Sequence, residues 1–96
     1  MDDWPFQDPR NLAVISVRPI LELGHPILRV GHDEDGYWQF LEWDTPREED
    51  AKVVSLSYMV SRDPSLRMLS NLPRGWQAFR RGPDEPWRLE PNSSTV

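Results

Sequence analysis

Ten prolines in 96 residues divide this chain into short pieces before any other preference acts. Each proline fixes its own φ and removes a backbone donor, so helices and central strands stop at or near it. Proline is at about twice its usual ~5% share. Five tryptophans accompany it, and unfolded segments are poor in aromatics. The prolines therefore predict many element boundaries in a small folded domain. A chain of this length supports one modest core, burying somewhat over ~60% of its unfolded surface.

Read between the prolines, the order of elements follows. Residues 1–11, with Pro5 and Pro9, are expected to form a flexible arm whose only anchors are Trp4 and Phe6. The folded body spans 12–90, and the polar tail 91–96 is expected to fray. Leu12 to Arg18 is rich in Val, Ile and Leu, is stopped by Pro19, and reads as a strand. Ile20 to Leu23 reads as a further short extended piece before the Gly24-His25-Pro26 turn. Ile27 to Val30 restarts a strand. Asp33-Glu34-Asp35-Gly36 is a turn, with Gly36 able to take the positive φ of a hairpin loop. Tyr37 to Trp43 is an aromatic strand.

The second half is more helical. Val54, Leu56, Tyr58 and Val60 alternate as in a strand, while Val53, Leu56, Met59 and Val60 fit a helical stripe. Helix is favoured, because Asp63-Pro64 opens the next helix with an N-cap and a proline at its first position. Leu66, Met68 and Leu69 supply its apolar side and Pro73 ends it. Trp76 to Arg81 and Pro86 to Leu89 read as strands joined by Gly82-Pro83-Asp84-Glu85. The expected fold is α+β, an antiparallel sheet of about five strands with two short helices on one face, in the order β-β-β-α-α-β-β.

Several function classes are disfavoured at once. There is no cysteine, which removes disulfides, thiolate metal sites and a cysteine nucleophile. The start Met1-Asp2-Asp3-Trp4-Pro5 is acidic where a secretory signal is basic, and no apolar run approaches the ~20 residues of a membrane span. A cytoplasmic protein is expected. Asp33, Asp35 and Glu42 have partial calcium-loop spacing, but Gly31 stands at the first ligand position and an aromatic strand replaces the flanking helix. The serines lack a nucleophile elbow, and the five glycines are scattered at turns. The chain is expected to be no enzyme and to need neither metal nor cofactor.

Charge is unevenly distributed. The net charge is -5, which argues against nucleic acid and anionic membranes as partners. From Gly31 to Asp50 the acids Asp33, Glu34, Asp35, Glu42, Asp44, Glu48, Glu49 and Asp50 face a single base, Arg47. From Arg62 to Arg88 six arginines outnumber Asp63, Asp84 and Glu85. The pattern nominates an acidic aromatic edge, Asp33, Glu34, Asp35, Trp38, Trp43 and Asp44, as a contact for a basic protein partner. A solvated acidic face is the plainer alternative.

The order of residues also resembles a known family. Asp35-Gly36-Tyr37-Trp38-Gln39-Phe40, Ser55-Leu56-Ser57, Asp63-Pro64-Ser65-Leu66, Leu69 through Leu72-Pro73, Gly75 and Ala78-Phe79-Arg80 carry the resemblance, over about 13–90. They are similar to a bacterial domain family of unknown function grouped with the predicted immunity proteins of polymorphic toxin systems, immunity protein thirty-three. The family's Asp-Ser-Gly-Trp turn is here Asp35-Gly36-Tyr37-Trp38, and Glu42-Trp43-Asp44 replaces its following Gly-Asp-Glu stretch. The resemblance implies a non-enzymatic α+β domain that binds and neutralises a toxin. A small-ligand-binding or regulatory accessory domain is the alternative. Oligomeric state stays open.

Overall fold

A computed structural model describes residues 3–43 and 46–92. Six strands form one mixed sheet: β1 (Ala13–Val17), β2 (Arg29–His32), β3 (Trp38–Leu41), β4 (Ala51–Ser55), β5 (Trp76–Phe79) and β6 (Arg88–Pro91). Their spatial order is β4-β1-β3-β2-β5-β6. All neighbours are antiparallel except β1 and β3, which run parallel. The fold is α+β as expected, but the sheet has one parallel pair and a sixth strand.

Two α-helices, α1 (Arg18–Leu23) and α2 (Leu56–Arg62), and two 3₁₀ segments, Glu48–Asp50 and Pro64–Leu69, complete the described elements. The α1 segment corrects the extended piece expected at Ile20 to Leu23. Pro19 sits in the first turn of this helix, where its missing N–H costs nothing. Gly24 closes it at φ +76°, in the left-handed region. Arg18 and Glu22 pair across one turn at 2.9 Å, which raises the guanidinium pKa above its ordinary value.

The ambiguous stretch 53–60 is both things in succession. Val53 to Ser55 complete β4, and Leu56 begins α2. Ser55 is the joint: its Oγ accepts the Tyr58 N–H at 3.1 Å and caps the helix. Asp63 then caps the Pro64–Leu69 segment, accepting from the Ser65 N–H at 3.0 Å. This segment is 3₁₀, and Met68, expected on its apolar side, points to solvent.

Alternation along the strands separates two faces. Val14 and Ser16 of β1, Val30 and His32 of β2, Trp38 and Phe40 of β3, and Ala78 of β5 are buried on one of them. Ile20, Leu56, Met59, Val60, Leu66, Leu69 and Leu72 join the same apolar cluster. Helices thus cover one face, and the other lies open. Residues 3–11, expected to be a loose arm, pack on the body. Phe6 is buried and meets the Trp38 ring edge-on at 5.5 Å. The Trp4 indole donates to the Asp8 carbonyl at 2.8 Å. In the expected tail, Pro91 belongs to β6, and 93–96 lie outside the described residues.

Both sheet edges carry residues that discourage further pairing. Lys52, the sole lysine, lies on edge strand β4, and Pro91 lies on edge strand β6.

Candidate binding surface

Five of the six residues nominated from sequence are described, and they do not converge on one edge. The turn between β2 and β3 is built by Asp33, whose Oδ1 accepts the N–H groups of Asp35 at 3.0 Å and Tyr37 at 2.9 Å. Gly36 takes φ +93°, and Arg74 packs where any Cβ there would stand. One oxygen of Asp33 is therefore used in shaping the turn, while Glu34 and Asp35 project into solvent.

Trp38, nominated for the contact edge, lies in the interior instead. It is 2% exposed, stacked between His32 at 3.9 Å and Phe40 at 6.1 Å. Its indole N–H donates to the Asp8 carboxylate at 2.9 Å. The period-2 geometry of a strand sends it to the same face as Phe40, toward the helices. Trp43 lies beyond the other end of β3 from the acidic turn, is 46% exposed, and packs edge-on against Phe79 at 5.9 Å. Asp44 lies outside the described residues. Glu42 pairs with His25 at 2.7 Å, away from Asp33 and Asp35.

Strand register defines what surrounds Trp43 on the open face. One row across the sheet reads Leu41, Arg29, Phe79, Arg88, from β3 through β2 and β5 to β6. A second reads Val53, Ile15, Gln39, Gly31, Gln77, Glu90. Val53 is 66% exposed. Gly31 leaves open space where a side chain would stand. A trough of about 220 Å³ results, lined by Arg29, Asp33, Gln39, Leu41, Gln77 and Asn92. A neighbouring cleft of about 250 Å³ is lined by Trp43, Phe79, Arg80, Arg81, Glu85, Pro86 and Arg88. Among the described residues, Trp43 thus shares its cleft with Arg80, Arg81, Arg88 and one acid, Glu85, and not with Asp33, Glu34 or Asp35.

On the covered side, His32 opens onto a different cavity. Its Nδ1 lies 2.8 Å from the Leu72 carbonyl oxygen. A carbonyl only accepts, so Nδ1 carries the proton, and in the neutral ring Nε2 is the acceptor. His32 lines a polar pocket of about 280 Å³ with Gln7, Asp8, Ser70, Asn71 and Arg74. Among the described residues, no cluster of three or more His, Asp and Glu could hold a metal, and no helix is long and apolar enough to cross a membrane.

Phe79, Arg29, Arg81 and Arg88 are the surface residues that sequence reading did not assemble. The arginine-rich second half was visible; its approach to Trp43 depends on β2 and β5 pairing side by side. Eight of the residues carrying the family resemblance belong to the interior. Trp38, Phe40, Leu56, Leu66, Leu69, Leu72, Ala78 and Arg80 are all buried. No family model, curated protein or solved structure matches the chain.

Proposed function

We propose that this chain is a non-enzymatic protein-binding domain, in its most concrete form an immunity-type protein that neutralises a toxin. The open sheet face carries the reading. It sets half-exposed Trp43 and exposed Val53 beside Ile15, Phe79 and glutamines, a mixture of aromatic anchors and hydrogen-bonding groups typical of protein contacts. Inhibition by binding needs only complementarity over roughly 800 Å² per partner, with no reacting group. Several groups that catalysis could use have other duties: His25 pairs with Glu42, Asp33 shapes a turn, and Asp63 caps a 3₁₀ segment. The family resemblance points the same way.

Co-expression with the product of the adjacent gene tests this. A co-purifying complex and protection of the host from that product are expected, and Trp43→Ala should weaken both. Absence of both complex and protection overturns the proposal.

A second reading, small-ligand binding, draws on the His32 pocket and its Nε2 acceptor. It would displace the first if a panel of small polar metabolites shifted the NMR signals of His32 and Asn71 and left Trp43 unmoved.

A further inference from the structure

We infer that the corner of the open face around Trp43 and Phe79 receives an acidic segment of a partner protein, an inference that rests on the protein-binding reading and specifies the partner's chemistry. Phe79 stands between Arg29 on β2 and Arg88 on β6 by strand register. Trp43 packs on its edge, and Arg81, Pro86 and Arg88 complete the cleft. Aromatic surface and guanidinium groups are therefore interleaved at one place.

The arginines differ in what they have left to offer. Arg80 also lines the cleft, but its guanidinium is engaged by Ile27, Ser65, Pro83 and Asp63. Arg29, Arg81 and Arg88 make no ion pair and no side-chain hydrogen bond among the described residues. One acid, Glu85, lies in the lining, and Glu90 beside Arg88 accepts from Gln77 at 2.9 Å. Among the described residues that line it, the corner has more guanidinium groups than carboxylates, on a molecule of net charge -5.

That combination selects the occupant. A segment alternating carboxylates with apolar side chains can lay an apolar group on Trp43 and Phe79 while its carboxylates take the forked donors of Arg81 and Arg88. A nucleic-acid strand fits less well. Its affinity comes from neutralising many phosphates, and the molecule offers few unpaired cations against a net acidic field.

The test uses the whole chain and a short peptide of alternating Glu and Leu as probe, followed by NMR. Shifts are expected at the Trp43 indole and at the backbone of Phe79 and Arg88. Combined Arg81→Glu and Arg88→Glu, both at exposed positions, should weaken binding about tenfold or more, since rim attraction becomes repulsion. The Lys and Leu counterpart peptide should not bind. Equal binding of the Lys peptide, shifts confined to the 33–37 turn, no shift at all, or preferential binding of an oligothymidine would each overturn the inference. A toxin complex that forms but is indifferent to the double charge reversal refutes the acidic segment and leaves the protein-binding reading standing. Peptide binding at the corner without any toxin complex does the reverse.

Discussion

Arg80 places its whole guanidinium inside the fold. Nε and Nη2 donate to the Ile27 carbonyl, Nη1 to Ser65 and Pro83, and Nη2 also to Asp63, while the group lies 4.1 Å from the centre of the Trp87 ring. One side chain thus joins β5, the loop before β2, the 3₁₀ segment and the turn after β5. Removing one partner of a buried pair costs about 3–5 kcal/mol, because the other loses its compensation. Asp63 is partly exposed, which lowers the figure. Arg80→Met should cost about 3 kcal/mol in urea unfolding. Adding Asp63→Asn, which keeps a capping oxygen and removes the charge, should recover part of the loss. A cost below about 1 kcal/mol, within the range of an ordinary surface pair, would show that Arg80 is not a structural hub. Composition makes Arg80 one arginine among ten and the resemblance places it in the Ala78-Phe79-Arg80 strand, but neither shows that it is buried, which depends on Ile27, Asp63, Ser65, Pro83 and Trp87.

At the scale of elements, the strand-to-helix joint at Ser55 shows how much was legible locally. The region could be read with period 2 or period 3.6, and both periods are present, one on each side of Ser55. A serine followed by a helical stripe is a cap signal, but no local rule says that a strand must precede it. Ser55→Ala removes the acceptor for the Tyr58 N–H and should cost about 1 kcal/mol at unchanged m-value. Ser55→Gly should cost only a few tenths relative to serine at the cap itself. An alanine variant as stable as the parent would show that the cap contributes nothing here. Helix α1 carries a comparable lesson. Pro19 marks the end of the strand and also stands in the first turn of a helix, because its fixed φ suits both places. Gly24 and the Arg18–Glu22 spacing were available signals for that helix.

For the molecule as a whole, the N-terminal segment is part of the core. Phe6 packs on Trp38, Asp8 holds the Trp38 indole, and Arg67 reaches back to the Asp3 carbonyl at 2.8 Å. Phe6→Ala should therefore destabilise the domain by about 3 kcal/mol, the ordinary cost of deleting a buried aromatic. Measured by chemical unfolding, a change under about 0.5 kcal/mol would restore the picture of an arm that the body does not need. The same tertiary arrangement decides the surface. Trp38 and Trp43 both belong to the aromatic stretch 37–43 of the sequence, yet one is interior and the other is half-exposed.

What the sequence determined by itself is the local grammar: short elements bounded by proline, the Asp33–Gly36 turn, the Asp63-Pro64 helix start, and an α+β composition. These depend on φ restrictions, capping and periodicity, which act over a few residues. Only the tertiary structure decided that β3 inserts parallel beside β1, that Trp38 is buried under the N-terminal segment, and that Trp43 faces arginines. Those outcomes follow from which distant segments pair and which face the helices cover. Long-range pairing trades chain entropy against burial over the whole domain, so no single stretch encodes it.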